Sequence, residues 1–443
     1  MVAGSSRSLS GSKLRSKYAA NLAACLLLAL ASAQTAPGVS NFTPQQRVGY
    51  TTGDQWEPAM SADGHGHIYI LFPQYGAVSD CPACTAPTIA LLISNDNGQS
   101  WRPPRALAPS STGQFDPQIV VDPVDRQTVY ASWLQNNKRD VMLARSQDFG
   151  RTWYLAIAGH SQPDADRPVL AVHGPDVYVG FNHEQNFVVA ASHDYAQTFS
   201  SVTVNPSTDP GWSLAGGATV DPAGNVYFAW TAYARRQLDT RPVSIYVSRS
   251  PDAGRSWNTA LLDVSSAPPE CAAQACQPGF LGAQIALASD SAGTVYALWN
   301  AGAVNGHPER IYFSSSTTAG ESWSLKSDVS TADDQVEHAF PAITAGAPGD
   351  ARIAWMDTRH APLWTVFERS SSNGGATWSP EAQLSGPARS NEHNYDYVRP
   401  DGFNFPFGDY FSIAIDDLGI THAVWGEGQN YKSPGSIWYT HGR

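Results

Sequence analysis

Charge is scarce in this chain. Only 15% of its 443 residues are Asp, Glu, Lys or Arg, and the 27 basic side chains fall well short of the 39 acidic ones. The net charge is −12, and no basic stripe gathers the cations that a phosphate backbone needs, which excludes nucleic acid as a partner. No long amphipathic helical period occurs. No apolar run reaches the roughly 20 residues that cross a bilayer, so membrane insertion is excluded as well. Cysteine is sparse, with five residues in all.

The first 33 residues read as an export signal. Four basic residues (Arg7, Lys13, Arg15, Lys17) and no acidic ones precede or border an apolar stretch around Leu22 to Leu30. Ala31-Ser32-Ala33 then offers a small-residue cleavage site, placing the mature terminus at Gln34 and the protein outside the cytoplasm, secreted or periplasmic. Leu22-Ala23-Ala24-Cys25 mimics a lipoprotein site, but most of the apolar run follows the cysteine instead of preceding it. Without the leader the chain has 23 basic and 39 acidic residues, a balance of −16. Cys81, Cys84, Cys271 and Cys276 remain, and an even number in an exported protein favours disulfides. Local bridges Cys81–Cys84 and Cys271–Cys276 are the simplest pairing, and a four-thiolate zinc site is the alternative.

What the chain has in quantity is turn and strand chemistry: 37 Gly, 31 Pro, 14 Trp and 18 Tyr. An internal repeat organises it. Ser94 to Trp101, Ser146 to Trp153 and Ser250 to Trp257 all fit S-x-D-x-G-x-(S/T)-W. Ser192 to Phe199, Ser316 to Trp323 and Ser371 to Trp378 are degenerate copies, with Thr318 and Asn373 at the Asp position of the last two. The Asp carboxylate suits a turn whose N–H groups it accepts, and the Gly supplies φ > 0. A second repeat precedes each box: a strand, a Gly or Asp turn, then an aromatic-rich strand such as Val129-Tyr130-Ala131-Ser132-Trp133. It occurs seven times, and the last unit ends at Ser436-Ile437-Trp438-Tyr439 with room for three strands. The predicted fold is therefore all-β. It is one β-propeller of seven four-stranded blades over 46–443, closed by an N-terminal strand around Gln46 to Tyr50, with 34–45 as a flexible lead-in. Six blades is the alternative count.

The boxes, together with Asp166-Arg167-Pro168-Val169, Trp355-Met356-Asp357-Thr358-Arg359 and Gly408-Asp409-Tyr410, resemble the sialidase-like BNR/Asp-box repeat superfamily. More closely, the chain resembles its exported bacterial propellers often labelled exo-alpha-sialidase. That resemblance implies a glycan or glycoconjugate ligand at the central funnel. Sialidase chemistry needs an Arg cluster for the substrate carboxylate, a Tyr nucleophile activated by Glu, and an Asp for acid–base work. Matched by residue type, Arg167, Arg359 and Arg399 would bind the carboxylate. Tyr410 with Glu337 would be the nucleophile pair, and Asp116 or Asp166 the acid/base. Glu57, His338 and Asp409 would line the substrate site. The first inner strand reads Trp56-Glu57-Pro58-Ala59 where sialidases carry an Arg-Ile-Pro-type signature.

Each candidate also has a structural reading: a carboxylate before Pro caps turns, and Asp357 with Arg359 can pair across a blade end. Three functions stay open: a sialidase-type exo-glycosidase, a non-catalytic glycan- or protein-binding propeller, and a polysaccharide lyase. The acidic cleft would equally suit paired carboxylates acting on a neutral sugar. No cofactor is expected. Ca²⁺ is conceivable in such a cleft, but no calcium-loop spacing supports it. The sequence leaves the oligomeric state open. Expressed with its leader in an exporting bacterial host, the mature protein is expected to begin at Gln34 by intact mass; a product retaining Met1 would overturn the export reading.

Overall fold

The computed structural model describes residues 41–443 apart from 163–164, 184, 206–210, 235–241, 268–280, 362–363, 387–406 and 429–432. Among the described residues there is no helix, and the strands form seven antiparallel sheets. Blade 2 shows the pattern: an innermost strand Phe115–Val121, then Val129–Gln135, Asp140–Ser146 and an outer Tyr154–His160. Blade 1 starts from Ala59–Ala62 and gains a short extra strand, Asp54–Gln55, paired to Gln74 and Tyr75. The innermost strands of blades 3 to 7 are Val169–His173, Trp212–Val220, Ile285–Ser289, His338–Ala345 and Ser412–Ile415. Each touches the next, and the seventh returns to the first, so the ring closes.

The second strands explain why blades stack. Near their starts stands Tyr69, Tyr130, Tyr178, Tyr227 or Tyr296 in blades 1 to 5, second in the strand except in blade 3, where it is third. Three residues after that position come Phe72, Trp133, Phe181, Trp230, Trp299, Trp355 and Trp425 in blades 1 to 7, all buried. A blade one sheet thick cannot cover such rings itself. Seven apolar clusters therefore form, one at each blade–blade junction.

Two Asp-centred turns recur at one end of the blades. Between innermost and second strands, Asp63, Asp221 and Asp290 each accept backbone N–H bonds and a hydroxyl from Tyr69, Tyr227 and Tyr296 at 2.9, 2.9 and 2.6 Å. Asp416 does the same with His422. Between third and fourth strands sit the Asp boxes. In blade 2, Asp148 accepts the Thr152 N–H at 2.9 Å and its hydroxyl at 2.7 Å, while Ser146 Oγ accepts the Gly150 N–H at 2.9 Å. In the degenerate boxes Thr318 Oγ1 and Asn373 Oδ1 accept the equivalent N–H bonds, both at 2.9 Å, so the turn survives loss of the carboxylate. The terminal aromatic packs on the preceding blade: Trp378 meets Phe313 edge-on at 4.9 Å and Trp101 meets Tyr439 at 4.9 Å.

The N-terminal segment closes the ring. Gln46 and Arg47 pair antiparallel with Tyr439 and Trp438, supplying the fourth strand of blade 7. Pairing stops short of the expected Tyr50 because the Gln55 side chain takes over both the N–H and the carbonyl of Tyr50, at 2.9 and 3.0 Å. Packing also starts earlier, with Phe42 buried among Trp425, Trp438 and Phe407. Cys81 and Cys84 form a disulfide on the loop between the second and third strands of blade 1; Cys271 and Cys276 lie outside the described residues.

Slight burial opposes the charge on Asp148, but the Thr152 N–H and hydroxyl outweigh it and hold the carboxyl down at about 2. A depressed carboxyl stabilises the fold above its unfolded value and loses that contribution as pH falls through the folded one. Asp148→Ala is therefore expected to cost about 1 kcal/mol at neutral pH, little because the site is wet. The deficit, read by thermal unfolding, should shrink toward pH 2; a gap independent of pH would contradict the assignment.

Candidate functional site

The opposite end of the blades carries the site. There the chain enters four innermost strands through a residue–proline pair whose first member has left-handed backbone: Glu57 (φ 52), Asp116 (φ 54), Arg167 (φ 45) and Phe340 (φ 57). Side-chain sterics and the following proline both disfavour a non-glycine residue there, at about 1–3 kcal/mol each. The ladders are interrupted at the same places, between Phe115 and Gln118 and between Ala339 and Ala342. Three of the four strained positions carry ionisable side chains, and all three are buried.

These side chains converge. Arg167 leaves blade 3, donates to Gln284 Oε1 of blade 5 at 2.7 Å, and lies 4.6 Å from the ring centre of Tyr410 in blade 7. Contacts to blades 5 and 7 from blade 3 require it to cross the axis. Below it a narrow axial cavity of about 140 Å³ runs past Gln118, Gly216 and Gly217. Lys138 donates to Asp116 Oδ2 at 2.8 Å and to Asp166 Oδ1 at 3.2 Å. Glu57 Oε1 accepts the Asp409 N–H at 3.3 Å. Gly408 makes that approach possible: it has φ 68, and a Cβ there would lie 2.5 Å from Glu57 Cγ. The Tyr410 hydroxyl donates to the Pro117 carbonyl at 3.4 Å.

Burial dominates the electrostatics. It pushes Glu57 well above the usual carboxylate range, aided by the charges of Asp409 and Asp116. It raises Asp116 to about 6 against the pull of Lys138, and raises Asp409 against Arg167. Tyr410 is likewise driven well above an ordinary phenol by burial and by Glu57, Asp116 and Asp409. Lys138 resists burial because Asp116 and Asp166 hold its charge. Solvent reaches the cluster at Lys138 and Asp166, whose side chains are 24% and 17% exposed.

Other sequence candidates are placed apart. Glu337 does not hydrogen-bond Tyr410; its Oε2 accepts the Glu309 N–H at 3.1 Å, and its Oε1 is buried with no hydrogen-bond partner among the described residues. Burial lifts both carboxyls, Glu309 to about 8. His338 bonds through Nδ1 to the Glu309 and Val336 carbonyls and through Nε2 to Ser330 Oγ. Arg359 is committed to Asp357 and Glu381 and stacks 3.7 Å from the Phe367 ring. Arg399 lies outside the described residues. Sequence reasoning missed Lys138, Gln284 and Tyr75. Tyr75 stacks on Trp56 at 5.0 Å, its phenol raised by burial and then by Glu57 and Asp116. Only Lys138 had a local signal, the Asn136-Asn137 pair that marks a tight turn. Among the described residues no cluster of three or more His, Cys, Asp or Glu has the geometry to hold a metal ion.

The ring of Asp-box blades around a polar axis defines a class, the sialidase-like BNR-repeat propellers. Comparison by sequence agrees: the chain belongs to the BNR repeat-like domain family, which matches residues 42–273. No curated protein sequence matches it. Among solved structures, a protein of unknown function from Dyadobacter fermentans is 13% identical, with a TM-score of 0.51 over 90% of this chain and 98% of that one. An ulvan lyase bound to -[GlcA(1-4)Rha3S]- is 14% identical, with a TM-score of 0.51 over 89% and 95%. A Hadza microbial sialidase is 14% identical, with a TM-score of 0.47 over 89% and 66%. At these identities the likeness is one of fold.

The raised proton affinity of Asp116 has a sign that can be read. Its folded value of about 6 exceeds the unfolded 3.8, so the native state binds the proton more tightly and loses stability as pH rises between them. Asp116→Asn is expected to flatten the fall in melting temperature over that window. An unchanged slope would show that Asp116 is not the group responsible.

Proposed function

We propose that this propeller is a glycan-processing enzyme that hydrolyses a neutral glycosidic linkage at the axial carboxylate cluster. The observation that carries the reading is the grouping of Glu57, Asp116, Asp166 and Asp409 around Lys138, on backbone strained at Glu57 and Asp116. Glycoside hydrolysis needs one carboxyl that carries a proton and one that is ionised, about 5–10 Å apart across the bond. Burial gives Glu57 the proton, so it acts as the acid toward the leaving oxygen. Asp116, bonded to the Lys138 ammonium that also holds Asp166, is the ionised partner on the wetter side. The half-buried Tyr75, beside Glu57 and Asp116, offers a face for a sugar ring.

A neutral substrate is favoured over sialic acid by the charges. Arg167 gives one donor to Gln284, lays its face on Tyr410 and lies beside Asp409, and Arg359 is held by Asp357 and Glu381. A substrate carboxylate would meet more carboxylates than free guanidinium among the described residues. An N-terminal export signal fits this role, with substrate met outside the cytoplasm.

The test is product analysis by mass spectrometry after incubating the mature protein with neutral, uronate-bearing and sialylated glycans. Release of neutral sugar is expected, with Glu57→Gln and Asp116→Asn each losing about 10²-fold or more in kcat. Free sialic acid would overturn the substrate class in favour of a sialidase. An unsaturated uronate product would indicate a lyase. No product from any glycan by a folded protein would leave a binding propeller.

A further inference from the structure

One segment of the site is costlier than the rest. Asn136, Asn137 and Lys138 are three successive residues with left-handed backbone, at φ 54, 55 and 58. Each costs about 1–2 kcal/mol in that region, somewhat less for Asn, whose side chain bonds locally. They form the hairpin between the second and third strands of blade 2. Arg139 N–H closes the hairpin onto the Gln135 carbonyl at 3.0 Å. It is also clamped to the segment entering blade 3, where Ala165 N–H donates to the Lys138 carbonyl at 2.8 Å and Ser161 N–H to the Arg139 carbonyl at 2.8 Å. The Lys138 ammonium ends between Asp116 and Asp166, 5.3 Å from the centre of the Phe115 ring. A tight hairpin takes left-handed backbone at two central residues, which Asn136 and Asn137 suit; Lys138 is a third, and it lacks the local side-chain bond that eases Asn there. That strained residue carries the ammonium placed between Asp116 and Asp166.

We propose that Lys138 is a positioning residue that sets where charge sits in the cluster, its ammonium anchored on Asp116 and Asp166 while Glu57 has no cation bonded to it among the described residues. This rests on the reading of the cluster as a glycosidase site, whose acid and base it would keep distinct. The groups that face Lys138 are Asp116 on its own blade, Asp166 from blade 3 and, farther off, Glu57 and Asp409 from blades 1 and 7. Arg167 faces the cluster from across Asp409, and Tyr75 and Tyr410 border Glu57 and Asp116. Four carboxyls so close cannot all ionise. Without a cation their sharing of protons would be nearly arbitrary. Lys138 breaks the tie by bonding two of them directly. Among the described residues Glu57 has no such cation bonded to it; its Oε1 takes the Asp409 N–H, and the Asp409 carboxyl is the one that Arg167 stabilises.

The experiment is carboxyl ¹³C NMR of the mature protein labelled at Asp Cγ and Glu Cδ, with Glu57, Asp116 and Asp166 assigned through Glu57→Gln, Asp116→Asn and Asp166→Asn. In the unsubstituted protein at neutral pH, Glu57 should show the shift of a protonated acid while Asp116 shows a carboxylate shift. An ionised Glu57, or a protonated Asp116, would overturn the proposal with no lysine variant needed. In Lys138→Met the Asp116 midpoint should rise by about one pH unit or more, and Lys138→Arg should restore most of it. A midpoint unmoved in a folded Lys138→Met would reduce Lys138 to a structural partner. Because the titration needs no substrate, a glycan panel without products leaves this result standing, and an Asp116 midpoint unmoved in Lys138→Met leaves hydrolysis standing, whereas an ionised Glu57 would remove the acid of that hydrolysis too.

Discussion

A blade of this protein is one sheet thick and apolar on both sides, so it has no inside of its own. Its tryptophans and tyrosines leave water only when the next blade covers them, and that blade depends on the one beyond. The chain of debts is settled only if the last blade covers the first. Closure through Gln46 and Arg47 on the final strand is thus what every other contact relies on. Six junctions without the seventh would leave two apolar faces open, each with an unpaired edge.

The polar site follows from the same ring. Seven strand entrances crowd around one axis, and side chains from distant parts of the sequence meet there without any loop built to bring them together. Arg167 and Gln284 are 117 residues apart, yet their bond is an ordinary 2.7 Å. Crowding also keeps water out, which is why carboxyls gathered there hold protons that exposed ones would release. The strained residue–proline entries at Glu57, Asp116 and Arg167 are tolerated because packed blades on either side leave the backbone no alternative.

Much of the architecture is legible in the sequence because it is local and repeated. A box such as Ser146 to Trp153 carries its own turn chemistry, and Val129 to Trp133 carries its own strand chemistry, so counting copies yields the blade number. The site is legible in part. Glu57, Asp116, Arg167 and Tyr410 stand out because they begin inner strands, a periodic position. Partnership does not follow from periodicity. Tyr410 has Glu57 for its acidic neighbour and not Glu337, and Arg359 belongs to Asp357 and Glu381. Gln284 could not be singled out at all, since nothing around it in sequence marks it as Arg167's partner across the axis.

Arg167 has a consequence for traffic. Strung from blade 3 to blades 5 and 7, it bars the axis just where a through-passage would run. Lys138 and Asp166 are the part of the cluster that solvent reaches, and behind them, among the described residues, the Arg167 side chain stands across the line of the axis. On the reading proposed above, a glycan would meet the cluster as an end or a bend, because a chain running straight along the axis would collide with that guanidinium.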